Sequence, residues 1–212
     1  VRSAYSCGKP AIGVGPGKTY LHVKTLSGRE LVKVTMTVEA KEYSVQYTTH
    51  VQEEGWQDWS SDGETAGTTG KGLRLEGIKI KVNGNQLSGG VTYSTHVQNE
   101  GWQEWKNNGD MSGTSGKSLR LEAIKIKLTG DAANKFDIYY RVHAQEFGWL
   151  GWAKNGEASG TSGYSYRLEG IQIKLVKKGG AAPGSTANSF HKSPPRVKYA
   201  THVQNEGWQD FE

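Results

Sequence analysis

Hydrophobic and polar residues alternate along several short segments of the chain. From Val45 to Gln52, the odd positions hold Val, Tyr, Thr and Val, whereas the even positions hold Gln, Thr, His and Gln. The same alternation occupies Val91 to Gln98. Because successive side chains of a β-strand point to opposite faces, this pattern predicts strands with one apolar face and one face that carries His and Gln.

A second kind of segment changes its phase part-way along. In LRLEGIKIKV, residues 73–82, the leucines stand at odd positions and the following Ile and Val residues at even positions. The apolar side chains can stay on one face only if one residue is absorbed near Glu76-Gly77, so the pattern predicts a β-bulge there. The same change occurs at Glu122-Ala123 and at Glu169-Gly170. We therefore expect a bend that is built into each copy.

These segments belong to a unit that recurs along the chain. A tryptophan that follows glycine stands at positions 56, 102, 149 and 208, at steps of 46, 47 and 59 residues. The sequence predicts three repeats at 43–82, 89–128 and 136–176. The longer last step contains 179–195, whose Gly, Pro and Ser content predicts a linker. An incomplete fourth repeat follows at 196–212.

The first 42 residues differ from the repeats. Alternating segments on either side of Ser27-Gly28 predict a β-hairpin. The stretches YSCGKPAIGV and GKTYLHVKTLSGRELVKVTMTV resemble the closing half of a bacterial immunoglobulin-like domain, over about 35 residues. That resemblance implies the end of such a domain at 1–42. The other interpretation is a hairpin that packs on the first repeat.

The middle of each repeat is rich in glycine and has no helical period, which predicts short strands joined by tight turns. About four short strands in each of three repeats predict an all-β fold, closed with pseudo-threefold symmetry, of the β-trefoil or β-prism type. The alternative is a four-bladed ring closed by the N-terminal hairpin and the C-terminal half-repeat. In either fold, one repeat alone could not bury its apolar face.

Composition narrows the class of protein. The net charge of +5 is spread along the chain without a Lys/Arg run, which argues against nucleic-acid binding. The single Cys7 can form neither an internal disulfide nor a zinc site. The chain has no apolar run of transmembrane length, so no membrane insertion is expected, and Val1 does not begin a signal peptide. The sequence therefore looks like an excerpt from a longer protein.

Pairs of tryptophans are the candidate ligand-binding residues. The indoles recur three residues apart in each repeat, as Trp56/Trp59, Trp102/Trp105 and Trp149/Trp152. On a strand such a pair would point to opposite faces, unless a turn brings both to one side. Aromatic faces suit the C–H face of a sugar ring, and Gln57 and Gln103 could bind its hydroxyl groups. We expect the first tryptophan of each pair in the core and the second in contact with ligand.

Three histidines that recur at one position of the repeat are further candidate ligand-binding residues: His50, His96 and His143. They could converge on a symmetry axis, but no carboxylate or Cys stands beside them at ligand spacing, so we expect no metal and no cofactor. The pairs Arg74/Glu76, Arg120/Glu122 and Arg167/Glu169 are expected to be structural ion pairs. Every candidate acid, His or Arg is triplicated, and residues unique to one copy form no triad or acid pair, so no enzyme is expected.

The motifs THVQ-x-EGWQ-x-W, DG-x-x-x-GT-x-G and LRLE-x-IKIK resemble the clostridial hydrophobic repeats with tryptophan, the ChW repeats. The third copy departs from them, with RVHAQEFGWLGW and with Tyr164 and Tyr166. The resemblance implies a module of secreted or surface-attached proteins of Gram-positive bacteria, with a presumed role in binding cell-wall or other polysaccharide.

Together these observations predict a non-catalytic, extracellular module that binds carbohydrate or cell-wall glycan, as in adhesion, through repeated aromatic sites. Triplication suits such binding, because weak sites add through effective concentration. The alternative is a structural or assembly module that self-associates by strand pairing through the incomplete fourth repeat.

Overall fold

The computed structural model of the chain describes residues 17–24, 28, 30–38, 43–84, 88–194 and 199–209. The chain divides into two compact units, 1–42 and 43–212. In the first unit, β1 (Gly17–Lys24) and β2 (Glu30–Val38) pair antiparallel, which confirms the predicted hairpin. The stretch YSCGKPAIGV that contributes to the immunoglobulin-like resemblance, including Cys7, lies outside the described residues.

The second unit contains three repeats with the same order of strands. Each begins with a long strand, continues through three short ones and ends with a second long strand. The first repeat contains β3 (Tyr43–Val51), β4 (Gly55–Trp56), β5 (Ser60–Ser61), β6 (Ala66–Gly67) and β7 (Leu75–Gly84). The second contains β8 (Val91–Val97), β9 (Gly101–Trp102), β10 (Lys106–Asn107), β11 (Ser112–Gly113) and β12 (Leu121–Leu128). The third contains β13 (Phe136–Ala144), β14 (Gly148–Trp149), β15 (Ala153–Lys154), β16 (Ala158–Ser162) and β17 (Leu168–Lys177).

Four shorter elements complete the unit. They are α1 (Gly130–Lys135), β18 (Phe190–Lys192), β19 (His202–Val203) and β20 (Gly207–Trp208). The six-residue α1 joins the second and third repeats, at a place where the sequence predicted no helix. The fold class is all-β, as predicted.

The predicted β-bulge is present in all three repeats. In the first, Val51 pairs with Leu75 but the preceding His50 pairs with Gly77, so Glu76 is the extra residue. Glu122 and Glu169 take the same place in β12 and β17. The bulge keeps Leu75 and Ile78 in the core, although these two residues are in opposite phase along the sequence.

Each repeat lends a short strand to its neighbour. The short strand β11 of the second repeat pairs with β7 of the first, and β16 of the third pairs with β12 of the second. The short strand β6 of the first repeat pairs with β17 of the third, so the exchange returns to its starting point. Because the first repeat pairs directly with the third, no place remains between them for a fourth blade, and the four-bladed alternative is wrong.

A glycine allows each exchanged strand to approach. Gly67 has a φ of 93°, and a Cβ placed on it would lie 2.5 Å from the carbonyl oxygen of Glu169 in the neighbouring repeat. Gly113 and Gly160 also have a positive φ, of 109° and 127°, and face the carbonyls of Glu76 and Glu122. The glycine of the GT-x-G motif is therefore required by contact between repeats as well as by the turn.

A buried tyrosine joins each pair of neighbouring repeats. The Tyr93 hydroxyl accepts a hydrogen bond from the Ile80 N–H of the first repeat at 3.0 Å and donates one to the Asp110 carbonyl of its own repeat. Tyr140 does the same between the third and second repeats, and Tyr47 between the first and third. Burial raises the pKa of Tyr93 to about 12, against the opposing effect of the Ile80 hydrogen bond.

The core is one cluster that all three repeats share. The strands β7, β12 and β17 contact one another, and each contributes two buried isoleucines. The isoleucines are Ile78, Ile80, Ile124, Ile126, Ile171 and Ile173. The repeats form three separate sheets rather than one closed barrel. Among the described residues, no helix combines the length and the hydropathy of a membrane span.

The segment predicted as a linker lies against the third repeat instead of extending away from it. Its strand β18 pairs in parallel with β16, and the backbone N–H of Trp152 donates to the Ser185 carbonyl at 2.8 Å. Asp137, buried at the start of β13, accepts from the Gly179 N–H and pairs with Lys154 and Lys178. Burial would raise the pKa of Asp137, but these contacts and a hydrogen bond from Asn155 hold it well below its usual range.

The partial fourth repeat keeps only a local hairpin. Its strands β19 and β20 pair with each other, and His202 contacts Trp208 edge-on with ring centroids 5.3 Å apart. Trp208 exposes 74% of its surface. The described part of this copy reproduces the turn of the complete repeats without their core. The linker's last residue, Pro195, and residues 196–198 and 210–212 of the copy lie outside the described part.

Candidate functional site

Four of the six paired tryptophans are exposed to solvent. The exposed fractions are 38% for Trp56, 43% for Trp59, 37% for Trp102 and 40% for Trp105. The prediction that the tryptophan after glycine belongs to the core is wrong for Trp56 and Trp102. Each of these two indoles lies on the short second strand of a hairpin. It lies beside the face of the long strand that carries His and is not buried beneath that strand.

The two indoles of a pair lie on the same side of the sheet. The Lys79 Nζ lies 4.6 Å from the ring centroid of Trp56, and the Lys81 Nζ lies 4.2 Å from that of Trp59. Because Lys79 and Lys81 are two residues apart on β7, they point to one face of the strand. The turn between the tryptophans therefore brings both rings to that face.

The second repeat has the same arrangement. The Lys125 Nζ lies 4.2 Å from the Trp102 ring centroid, and the Lys127 Nζ lies 4.4 Å from that of Trp105. A lysine over an exposed indole contributes about 0.5–1 kcal/mol and holds the ring in place. We call each of these two-ring surfaces an indole platform: Trp56 with Trp59, and Trp102 with Trp105.

A buried carboxylate fixes the first ring of each platform. Glu76, the bulge residue, accepts a hydrogen bond from the Arg74 Nε at 2.9 Å and forms an ion pair with a terminal nitrogen of Arg74 at 2.8 Å. Its other oxygen lies 3.2 Å from the His50 Nδ1, and the His50 ring contacts Trp56 edge-on at 5.5 Å. This pair is a close polar contact rather than a directed hydrogen bond. The bulge thus places a charge where it orients the indole.

The same chain of contacts occurs in the other two repeats. The His96 and His143 Nδ1 atoms lie 3.1 and 3.0 Å from the bulge carboxylates, and their rings contact Trp102 and Trp149. Burial would raise the pKa of Glu122, but His96 and Arg120 outweigh that effect and lower it. The predicted Arg–Glu ion pairs are confirmed, and each also holds the histidine.

The candidate glutamines serve the fold in part. Gln103 accepts a hydrogen bond from the Gly113 N–H at 2.8 Å and donates one to Glu100 at 2.9 Å. Gln57 donates to the carbonyl of Gly55 at 3.4 Å. Both side chains lie beside an indole platform and are half-buried. The Gln103 amide is therefore already used in holding the turn in place.

The third repeat replaces the platform by a groove. Trp149 is half-buried, and Trp152, predicted to be a ligand contact, exposes only 6% of its surface. Residues 183–185 cover the Trp152 ring, with Gly184 beside the indole nitrogen, and the ring also lines the groove, so its contact with a ligand stays a prediction. The groove encloses about 480 Å³, and its lining includes Arg141, Phe147 and Trp149 from the repeat and Pro183, Asn188 and His191 from the covering segment.

Residues particular to the third copy line or support the groove. The Phe147 ring stacks on His191 at 4.4 Å and contacts Tyr164 and Tyr166 edge-on. Sequence reasoning noted the substitutions in this copy but assigned the covering segment to a linker, so it missed the groove. One feature of the sequence could have indicated the groove: the third copy, whose motif is the most altered, is also the copy followed by the longest insertion.

Comparison with known families agrees with these three units. Residues 50–84, 96–130 and 143–177 match the family profile described as Clostridial hydrophobic W, or ChW. The chain belongs to the ChW family. Each match begins at the histidine that contacts the first tryptophan and ends at or near the end of the second long strand, so a ChW unit includes the bulge and the exchanged strand. Comparisons of the chain with curated proteins and with solved structures give no match.

The three histidines of the ChW repeats have separate surroundings. Each contacts the bulge glutamate of its own repeat. Within the described ranges, no group of three or more His, Cys, Asp or Glu side chains is placed to hold a metal ion.

Proposed function

We propose that this chain is a non-catalytic carbohydrate-binding module of an extracellular, surface-associated protein and that it binds cell-wall or related glycans. The observation that supports this proposal is the pair of indole platforms, each with two partly exposed rings on one side of its sheet. Soluble domains usually cover rings of this size, so paired exposed indoles point to an interaction surface.

The chemistry of the platform suits a sugar. A lysine lies over one face of each indole, yet Trp59 and Trp105 still expose 43% and 40% of their surface, which is available to the C–H face of a pyranose. Lys81 and Asp58 beside Trp59, and Lys127 and Glu104 beside Trp105, offer hydrogen-bond partners to hydroxyl groups. The contact from His50 to Trp56 restricts the ring before the ligand arrives, which lowers the entropy lost on binding.

We propose further that the cyclic exchange of strands makes the three repeats a closed pseudo-threefold unit. Three sheets, each completed by a strand from the next repeat, favour a β-prism type of arrangement over a β-trefoil. Such an arrangement would hold the two platforms and the groove at fixed spacing. Fixed spacing lets one polysaccharide chain occupy more than one site, which raises avidity above the affinity of any single site.

The test is binding to purified peptidoglycan and to an array of glycans. We expect Trp59→Ala and Trp105→Ala each to weaken binding, and the double variant to weaken it by tenfold or more, because two platforms bind together. Trp208→Ala is the matched control: Trp208 is more exposed, but among the described residues no lysine lies over its ring. Absence of binding to any glycan, or equal losses for Trp208→Ala and the double variant, would remove the proposal.

Exposed apolar side chains in the partial fourth repeat favour a second candidate, assembly through strand pairing. Tyr199, Val203 and Trp208 are all exposed. Strands from one repeat already pair with the sheet of another. In the same way, the strands of the partial fourth repeat would pair through backbone hydrogen bonds with a strand of a second copy of the chain. Sedimentation velocity over a hundredfold range of concentration checks this. A monomer at every concentration, unchanged by deletion of 196–212, would contradict it.

A further inference from the structure

The groove of the third repeat differs from the indole platforms in the kind of cation beside its rings and in its shape. The covering segment is held by hydrogen bonds from the Trp152 N–H to the Ser185 carbonyl and from the Gly160 N–H to the Ser189 carbonyl. Gly151 allows the Ala187 carbonyl to approach closely, since a Cβ there would collide with it. The wall formed by residues 183–192 is thus tied to the repeat at several points.

The positive charge in this groove comes from a different strand than in the other repeats. In the first repeat, Lys79 of β7 pairs in register with Thr48 of β3 and lies over Trp56. In the third, the corresponding pair is Gln172 and Arg141, so the cation has moved from the last strand to the first. The exchange keeps a cation beside the ring but replaces an ammonium group by a guanidinium.

The Arg141 guanidinium is oriented without a carboxylate partner. Its Nε donates to the Gln172 Oε1 at 2.8 Å, and its Cζ lies 4.9 Å from the Trp149 ring centroid and 5.0 Å from that of Trp152. Among the described residues Arg141 forms no ion pair, and the lining of the groove contains no Asp or Glu. A fixed guanidinium therefore faces a groove with aromatic walls and no compensating negative charge.

We propose that this groove binds a sugar ring that carries a carboxylate, a hexuronate or a chemically equivalent acidic sugar. The two terminal nitrogens of Arg141 suit the bidentate geometry of a carboxylate. Phe147 and Trp149 supply apolar surface for the ring. The inference rests on the proposed carbohydrate-binding function and gives the third repeat a specificity that the two platforms lack.

The experiment compares an acid with its own neutral ester. Trimers of galacturonic, glucuronic and mannuronic acid, and the methyl ester of each, are titrated into the full chain by isothermal calorimetry. We expect at least one acid to bind about tenfold or more tightly than its ester, the range for a hydrogen-bonded charged pair. Added salt should reduce the preference for the acid but not the affinity for the ester.

Substitutions test whether Arg141 causes the tighter binding of the acid than of its ester. Arg141→Gln should bring the affinity for the acid to that of the ester, and Arg141→Lys should keep part of the preference. Lys174→Gln is the matched control, because Lys174 is an exposed cation on β17 that does not line the groove, and its loss should leave the preference unchanged. If Arg141→Gln does not fold, Arg141→Lys decides, and it must reduce the preference at least threefold.

The outcomes separate this inference from the proposed function. Equal binding of acid and ester in all three pairs, or equal effects of Arg141→Gln and Lys174→Gln, overturns the acidic-sugar site. If neutral glycans still bind in a manner that depends on Trp59 and Trp105, the proposed function stands. Absence of binding to every acidic and neutral saccharide overturns both.

Discussion

The second tryptophan of each ChW repeat has one place in the motif but two different environments. Trp59 and Trp105 lie on the surface beneath a lysine side chain, whereas Trp152 is covered by the segment around Gly184. The ring is the same, so its role is set by what lies over it. The same reasoning applies to Arg141, whose charge is oriented by Gln172 on the neighbouring strand.

This difference predicts that the same substitution, Trp to Ala, has a large effect on stability in the third repeat and a small one in the other two. We expect Trp152→Ala to lower the free energy of unfolding by about 3–5 kcal/mol, because it removes a buried indole and leaves a cavity. Trp59→Ala and Trp105→Ala should change it by less than about 1 kcal/mol, as is usual for surface positions. Urea denaturation of the three variants checks this. Similar losses at all three positions would mean that the platform rings are also core.

Sequence alone could identify the paired tryptophans but could not place them. The spacing of three residues allowed opposite faces or one face, and only the turn geometry decides between them. Burial of Trp152 depends on residues 183–185, more than thirty positions away, and the local pattern contains no information about that contact. The pairing of Arg141 on β13 with Gln172 on β17 could not be predicted for the same reason.

Among the strands, one tyrosine hydroxyl adds to the exchanged strand at each connection between repeats. The Tyr93 hydroxyl links the Ile80 N–H to the Asp110 carbonyl. Removing it would leave a buried N–H and a carbonyl without this partner, at a cost of about 1–3 kcal/mol. Tyr93→Phe should therefore destabilise the protein by that amount while the apolar core stays filled.

The same hydroxyl predicts a dependence on alkaline pH. The pKa of Tyr93 is raised to about 12 in the folded protein, against about 10 in an unfolded chain. A raised pKa stabilises the fold fully below pH 10, and that contribution is lost as the pH rises towards 12. The difference in unfolding free energy between wild type and Tyr93→Phe should shrink over this interval. A constant difference from pH 8 to 12 would show that the hydroxyl does not titrate as a buried group.

The strands themselves were largely predictable, whereas their partners were not. The alternation correctly predicted which residues of β3 are buried: Val45, Tyr47, Thr49 and Val51. The phase change correctly predicted the position of the bulge. A period of two residues says which face is apolar but not which strand lies beside it. Exchange of β6, β11 and β16 between repeats therefore appears only in the structure.

For the chain as a whole, the cyclic exchange distinguishes these repeats from a linear array. In a linear solenoid each repeat contacts only its neighbours, and end repeats can unfold separately. Here the first repeat also pairs with the third, through β6 and β17, so no complete repeat stands at an end. If one repeat unfolds, one neighbour loses the short strand that it receives from that repeat. The other neighbour loses the long strand with which its own lent strand pairs. The three repeats should therefore unfold together.

Native-state hydrogen exchange tests this cooperativity directly. The amides of Ile80, Ile126 and Ile173 each donate to a tyrosine hydroxyl of a neighbouring repeat. We expect all three to exchange with one free energy, equal to that of global unfolding in urea, because none can open without separating two repeats. The Gln209 amide, which closes the hairpin of the partial fourth repeat, is the control and should exchange far faster. Free energies that differ by more than about 1 kcal/mol among the three isoleucines would contradict cooperative unfolding and imply that the exchanged strands detach one at a time.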